Sequence, residues 1–243
     1  MSAALTSGPV IEAAGVVKTL GSGAGTVQAL RGVDLALGSG ELALLMGPSG
    51  SGKTTLLSIL GCMLKPSAGT VTVGGQATEG LDAEALARLR RANIGFVFQS
   101  YHLFPTLTAA ENVRLALDVR GHPGRAARAK ASAALAEVGL AHKEKSFPRE
   151  LSGGEQQRVA IARAIVGNPS AILTDEPTAA LDGENGQAVM TILARLAKAG
   201  GRGVLAVTHD TRLLPFADRV IHIEDGRIRH RQASTPKEAE PRV

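Results

Sequence analysis

Glu41–Met46 is a short apolar run that leads directly into Gly47-Pro48-Ser49-Gly50-Ser51-Gly52-Lys53-Thr54, and helical periodicity follows from Thr54 to Leu64. Strand, glycine loop and helix in that order leave few folds open to a chain. The string has the form GxxxxGK[ST]. Its glycines let backbone N–H groups converge on phosphate oxygens at the positive end of the helix that follows. Lys53 is the residue type that reaches β- and γ-phosphates, and Thr54 offers a hydroxyl to Mg²⁺. With Thr55, the stretch Gly47–Thr55 is the expected nucleotide-binding segment. A merely glycine-rich turn would explain the string by itself; its position between strand and helix argues for phosphate.

A second apolar run, Ala171-Ile172-Leu173-Thr174, ends in two adjacent carboxylates, Asp175 and Glu176, before Pro177. Asp175 at the strand tip suits the Mg²⁺-side acid of a nucleoside triphosphatase. Glu176, one residue further, is placed to polarise a water as general base. Asp-Glu-Pro is also good turn chemistry. Standing behind a phosphate loop, the pair favours catalysis.

Between these lies Leu151-Ser152-Gly153-Gly154-Glu155-Gln156-Gln157-Arg158. Ser152-x-x-Glu155 is a capping box and accounts for two residues as the start of a helix. Gly153 and Gly154 remain, because glycines weaken a first helical turn. They make sense if that helix N-terminus must approach an anion.

The remaining chain supplies the frame. Val10–Leu20 and Val27–Leu37 alternate around the turn-rich 21–25 and read as antiparallel strands. Thr70–Val73 and Ile94–Phe98 read as strands, and Asp82–Arg91 and Arg125–Val138 as helices. Thr108-Ala109-Ala110-Glu111 opens another helix. Glu184–Ala199 is a further helix, Val204–Thr208 a buried-type strand, and Val220–Ile228 a hairpin turning at Asp225-Gly226. The first nine residues read as a loose leader and the residues from Gln232 onward as a polar tail.

Aromatic residues make up 2% of the chain, with no Trp and one Tyr, so a stacking platform for nucleic acid is not expected. The formal charge is +5, and the run Arg227–Arg231 reads as a solvated basic segment, with attraction to anionic lipid or polyanions as the lesser reading. The lone Cys62 has no intrachain partner and reads as a small buried apolar residue. No stretch approaches the roughly 20 apolar residues of a membrane span. The expectation is a soluble chain in the cytoplasm.

The phosphate loop at 47–54, LSGGEQQR at 151–158 and the strand–carboxylate motif at 171–176 together resemble the ATP-binding cassette (ABC) ATPase family over roughly residues 10–230. The resemblance implies an α/β fold: a P-loop NTPase (RecA-like) core with a small antiparallel β layer and an inserted α-helical subdomain. Residues 1–230 form one domain in this reading. Its core comprises 10–98 and 168–230, its helical subdomain 99–167, and its tail 231–243.

The resemblance also implies that Gln99 touches Mg²⁺ with Thr54 and Asp175, that Asp182 lies in a D-loop, and that His209 is a switch residue catalysing beside Glu176 and Gln99. ATP and Mg²⁺ are the implied ligands. Leu151, Ser152, Gly153, Gly154 and Glu155 would close over ATP bound to a second, head-to-tail copy. Separate integral membrane permease subunits would be driven from the cytoplasmic face of the cell membrane, with contact near Ser100–Leu107.

Within the family, the stretches Met46–Leu57, Phe98–Pro105 and Leu107–Val113 most resemble ATPases of macrolide-exporter, lipoprotein-releasing and glycolipid-exporter systems. A regulatory ATPase driving cell-envelope remodelling without solute transport has nearly the same motifs. One position departs from the pattern: Leu20 stands where the family places an aromatic under adenine, and it offers apolar contact without stacking.

Overall fold

The computed structural model describes residues 8–229, Pro123 excepted. The leader is described only at its last two residues, and the polar tail lies outside. In chain order the elements are β1 (Ile11–Leu20), β2 (Val27–Leu37), β3 (Leu42–Met46), α1 (Lys53–Leu60), β4 (Ala68–Val73), β5 (Gln76–Ala77), α2 (Ala83–Asn93) and β6 (Ile94–Val97). There follow α3 (Ala109–Asp118), α4 (Arg125–Glu137), α5 (Gly153–Ile165), β7 (Ala171–Asp175), α6 (Gly183–Gly200), β8 (Gly203–Val207), β9 (Arg219–Glu224) and β10 (Arg227–Arg229).

Two sheets result. One is antiparallel in the order β2-β1-β4-β5; the other has the order β10-β9-β3-β8-β7-β6 and is parallel except where β9 turns back into β10. The apolar runs become parallel strands because both their faces are covered. Along β3, Leu42, Leu44 and Met46 join a core shared with α3–α6, whereas Ala43 and Leu45 join a core shared with α1 and the antiparallel sheet. Adjacent residues of β8 divide in the same way, Val204 and Ala206 to one side, Leu205 and Val207 to the other. The helices expected at 99–167 thus rest on one face of the sheet, and the antiparallel layer on the other.

Helix α1 stops at Leu60, four residues before the sequence pattern does. Cys62 takes a left-handed φ of 54°, Met63 N–H donates to Ser58 O at 2.9 Å and Cys62 N–H to Ile59 O at 3.0 Å. That is a Schellman stop with cysteine at the position usually held by glycine. Apolar periodicity continues through Leu64 and hides it. Cys62 is buried, as expected. The basic run begins in β10, where Arg229 pairs with Glu224 at 3.4 Å. Its last two residues lie outside the described part. No helix among the described residues is long and apolar enough to cross a membrane.

Candidate functional site

The parallel strands end in register, and the sequence-expected residues stand just past those ends. Leu45 pairs with Val207, Asp175 with Val207 and Val97 with Thr174. Gly47, His209, Glu176 and Gln99 therefore emerge along one sheet edge, where α/β folds place their ligands.

The phosphate loop leaves β3 and turns into α1 at Gly52, whose φ is 101°. A side chain there would be strained and would also meet Ala29 O at 2.7 Å. Gly47 is closed in from another side, since a Cβ would sit 2.0 Å from Ile223 O. The hairpin turn braces the loop: Gly226 N–H donates to Ser51 O at 3.1 Å, and Arg31 N–H to Gly226 O at 2.8 Å. Lys53 Nζ donates to the Gly47 and Pro48 carbonyls, both at 2.8 Å, which lays the ammonium along the inside of the loop. Thr54 Oγ1 lies 3.4 Å from Asp175 Oδ2.

A cleft of about 400 Å³ opens beside this loop and is lined by Leu20, Val27, Arg31, Lys53, Thr55 and Asp225 among others. Leu20 pairs across the strands with Val27, and both are exposed. They stand side by side in the wall of the cleft, Leu20 being the residue expected where the family carries an aromatic ring. Sequence reasoning singled out Leu20 but not Val27 or Arg31, since neither carries a motif.

The two carboxylates at the end of β7 are held differently. Burial, and then the neighbouring Glu176 charge, push the Asp175 carboxyl above the ordinary range, despite its Thr54 partner and Lys53. A hydroxyl and a carboxylate oxygen this close form a hard-oxygen pair. That donor set fits Mg²⁺, which takes one or two protein oxygens and fills its shell with water and phosphate. Glu176 has a left-handed φ of 48° immediately before Pro177, and its N–H is fixed to Val207 O at 2.9 Å. Its Oε1 lies 2.7 Å from His209 Nδ1. Strain of this kind survives where surrounding structure over-determines it. Gln99 is exposed at the neighbouring strand end, and no hydrogen bond among the described residues ties it to Thr54 or Asp175.

Helix α5 begins as its sequence says. Ser152 Oγ accepts from Glu155 N–H at 3.2 Å and Glu155 Oε2 from Ser152 N–H at 2.8 Å. Those contacts, with Lys143 nearby, hold the Glu155 carboxyl below its usual range. Ser152 stays exposed while Leu151 is buried. No hydrogen bond among the described residues joins 151–158 to 47–54.

The two glycines have neighbours inside the chain. A Cβ on Gly154 would meet Asn185 Oδ1 at 2.6 Å, and one on Gly153 would meet the Tyr101 hydroxyl at 3.1 Å. Close packing therefore accounts for Gly154 without any anion. Asp182 caps α6, accepting from Asn185 N–H at 2.9 Å and from Asn185 Nδ2 at 2.8 Å.

The segment after Gln99 is shaped by residues no motif marked. Tyr101 and His102 are both left-handed, with φ of 57° and 48°. Arg163 from α5 donates to their carbonyls at 2.6 and 2.5 Å. Asn112, fully buried, accepts from Phe104 N–H at 2.8 Å and shares its two Nδ2 hydrogens among the carbonyls of Phe104, Leu107 and Thr108. Phe104 itself is 51% exposed. A larger basic cleft, about 660 Å³, lies between α2, α4 and the end of α5, with Arg91, Arg120 and Lys130 in its wall, and shares no residue with the phosphate-loop cleft.

A family model described as ABC transporter matches residues 30–179. The macrolide export ATP-binding/permease protein MacB of Rhodopseudomonas palustris (strain HaA2) is 44% identical over 233 residues, 96% of this chain and 36% of that protein. The pyoverdine export ATP-binding/permease protein PvdT of Pseudomonas syringae pv. tomato is 44% identical over 237 residues, again 96% of this chain and 36% of that protein. The chain thus spans about a third of the length of these curated relatives.

Among solved structures, a dimeric post-hydrolysis state of the ATP-binding cassette MJ0796 bound to ADP and Pi superposes with a TM-score of 0.81 at 41% identity. It covers 90% of this chain and 96% of that one. CbiO1 from Clostridium perfringens, part of the transporter complex cbiONQ, gives a TM-score of 0.82 at 27% identity, covering 91% and 87%.

Proposed function

The chain belongs to the ABC transporter family, and from that premise we propose that it is an ATPase subunit whose hydrolysis drives export or membrane extraction by permease partners. The observation that carries the catalytic part is the 2.7 Å contact of His209 Nδ1 with Glu176 Oε1, one residue beyond Asp175 and opposite Thr54.

The phosphate loop binds the triphosphate through its N–H groups, and Lys53 exchanges its two carbonyl partners for β- and γ-oxygens. Thr54 and Asp175, with Gln99 on the adjoining strand end, would hold Mg²⁺, which when bound supplies positive charge to the phosphates. Glu176 accepts a proton from the attacking water, and His209 orients the carboxylate. Leu20 and Val27 give the base apolar contact.

Two copies pack head to tail, as the MJ0796 cassette is dimeric. Ser152 and the N-terminus of α5 of one copy then face the phosphate held at Lys53 of the other. Permease contact falls on 100–107, where Phe104 stands out of a loop otherwise pinned by Asn112 and Arg163. Likeness to MacB and PvdT supports the export reading, in which the chain works at the cytoplasmic face of the membrane.

The test is phosphate release from Mg-ATP by the purified chain, with and without a membrane permease partner. Wild type should release phosphate, and Glu176→Gln should bind ATP yet turn it over about 100-fold more slowly or worse. A Glu176→Gln chain with wild-type turnover removes Glu176 as the base. A wild-type chain that releases no phosphate in either setting removes the ATPase reading.

A further inference from the structure

Gln157, one turn into α5, is an amide and yet fully buried. Its Nε2 donates to Pro177 O at 2.8 Å, while its Oε1 is buried without a partner. The orientation follows from chemistry, because a carbonyl can only accept. No other donor among the described residues reaches that carbonyl. A buried acceptor left unpaired is a standing cost that needs a reason.

The carbonyl in question belongs to the residue directly after Glu176, whose left-handed backbone precedes a proline, a combination the chain does not adopt unaided. Val207 O fixes that turn from the β8 side at 2.9 Å, and Gln157 fixes it from the α5 side. Gly154, three residues earlier and so on the same helix face, packs on Asn185, which is bonded to Asp182. One face of α5 thus seats both ends of the segment 176–185.

We propose that Gln157 is a positioning residue for hydrolysis: through the Pro177 carbonyl it sets the direction of the Glu176 carboxylate and links it to the helix that begins at Ser152. The inference rests on the reading of Glu176 as the base. It also gives each copy a mechanical connection between the helix start presented to its partner's nucleotide and its own catalytic turn. Closure at one site then bears on the geometry of the other.

The experiment uses two variants of the full chain. Gln157→Met keeps the volume and removes the donor; Pro177 O is left unpaired, but the unpaired Gln157 Oε1 goes as well, so the number of unpaired buried oxygens does not rise. Gln157→Asn keeps the amide but withdraws it by one methylene, and it decides the matter should the methionine variant not fold. Both should lower kcat for ATP by about 10- to 100-fold, with KM within twofold of wild type and Tm close to it.

In a Glu176→Gln background the Gln157 change should cost nothing more, since the group it positions is gone. Wild-type kcat in a folded Gln157→Met or Gln157→Asn chain overturns the proposal. So does a loss of kcat matched by a rise in KM and a fall in Tm, which marks a structural role only. A wild-type chain that releases no phosphate sinks the ATPase reading instead, and the two failures are told apart by that control.

Discussion

Asp175 and Glu176 are neighbours with the same chemistry and different partners, Thr54 for one and His209 for the other. Asp175 binds its proton more tightly when folded than when unfolded, because burial and the Glu176 charge disfavour its ionised form. Its contribution to stability therefore falls as pH rises from the ordinary carboxylate range through the raised value. Asp175→Asn should raise the Tm of the nucleotide-free chain by about 1–3 °C at neutral pH and abolish phosphate release. At pH values below the ordinary range, where both forms are neutral, the gain should vanish. Calorimetry at two pH values checks this, and an unchanged Tm at neutral pH contradicts the burial argument. Gly154 tests packing in the same direct way. In an exposed helix Gly→Ala gains up to about 1 kcal/mol; here the new Cβ meets Asn185 Oδ1 at 2.6 Å, and overpacking costs about 1–3 kcal/mol. Gly154→Ala should thus melt lower, and Gly154→Ala with Asn185→Ala should recover most of the loss. The sign of the change separates the two cases.

At the scale of elements, what was legible in sequence was whatever local pattern alone determines. The buried strands announced themselves as apolar runs bounded by turns. The starts of α3 and α5 were readable because a capping box is a four-residue device, and both boxes are formed. The stop of α1 was not readable, because Cys62 occupies the left-handed position without the glycine that would mark it. The loop 103–108 was unreadable for a different reason: its shape is set by Asn112, which in sequence looks like one polar residue in an ordinary helix. Only the fold shows four hydrogen bonds converging on it. Asn112→Ala should cost about 1–3 kcal/mol, since several part-buried backbone groups lose their partner together. Amide exchange in 103–108 should accelerate while the β-strands stay protected. Uniform acceleration across the chain would mean that Asn112 supports the whole core rather than the loop.

At the scale of the whole molecule, the motifs were legible one by one, but their meeting depends on register. Gly47, Glu176, His209 and Gln99 come together because β3, β8, β7 and β6 are parallel and end in step. Ser152 starts a helix rather than ending a strand, and no hydrogen bond among the described residues joins it to the phosphate loop. In the head-to-tail reading a site that uses both draws on two copies. That requirement has a consequence no single-chain arrangement shares. Lys53→Ala disables the phosphate loop of its own copy. Ser152→Asp keeps a competent cap, as aspartate caps helices well, but sets a negative charge where the partner's phosphate would lie. Each variant alone should be nearly inactive. Mixed in equal amounts, half of the dimers carry one of each, and in those one site joins an intact loop to an intact helix start. Phosphate release should recover to at most about a quarter of the wild-type rate, the value for independent sites, and should rise with total protein concentration as dimers form. If the mixture stays as inactive as its components while each binds ATP or dimerises as its lesion allows, the site lies within one chain and the head-to-tail reading fails. Recovery to a quarter has no explanation in a monomer, because no monomer in the mixture holds both intact halves.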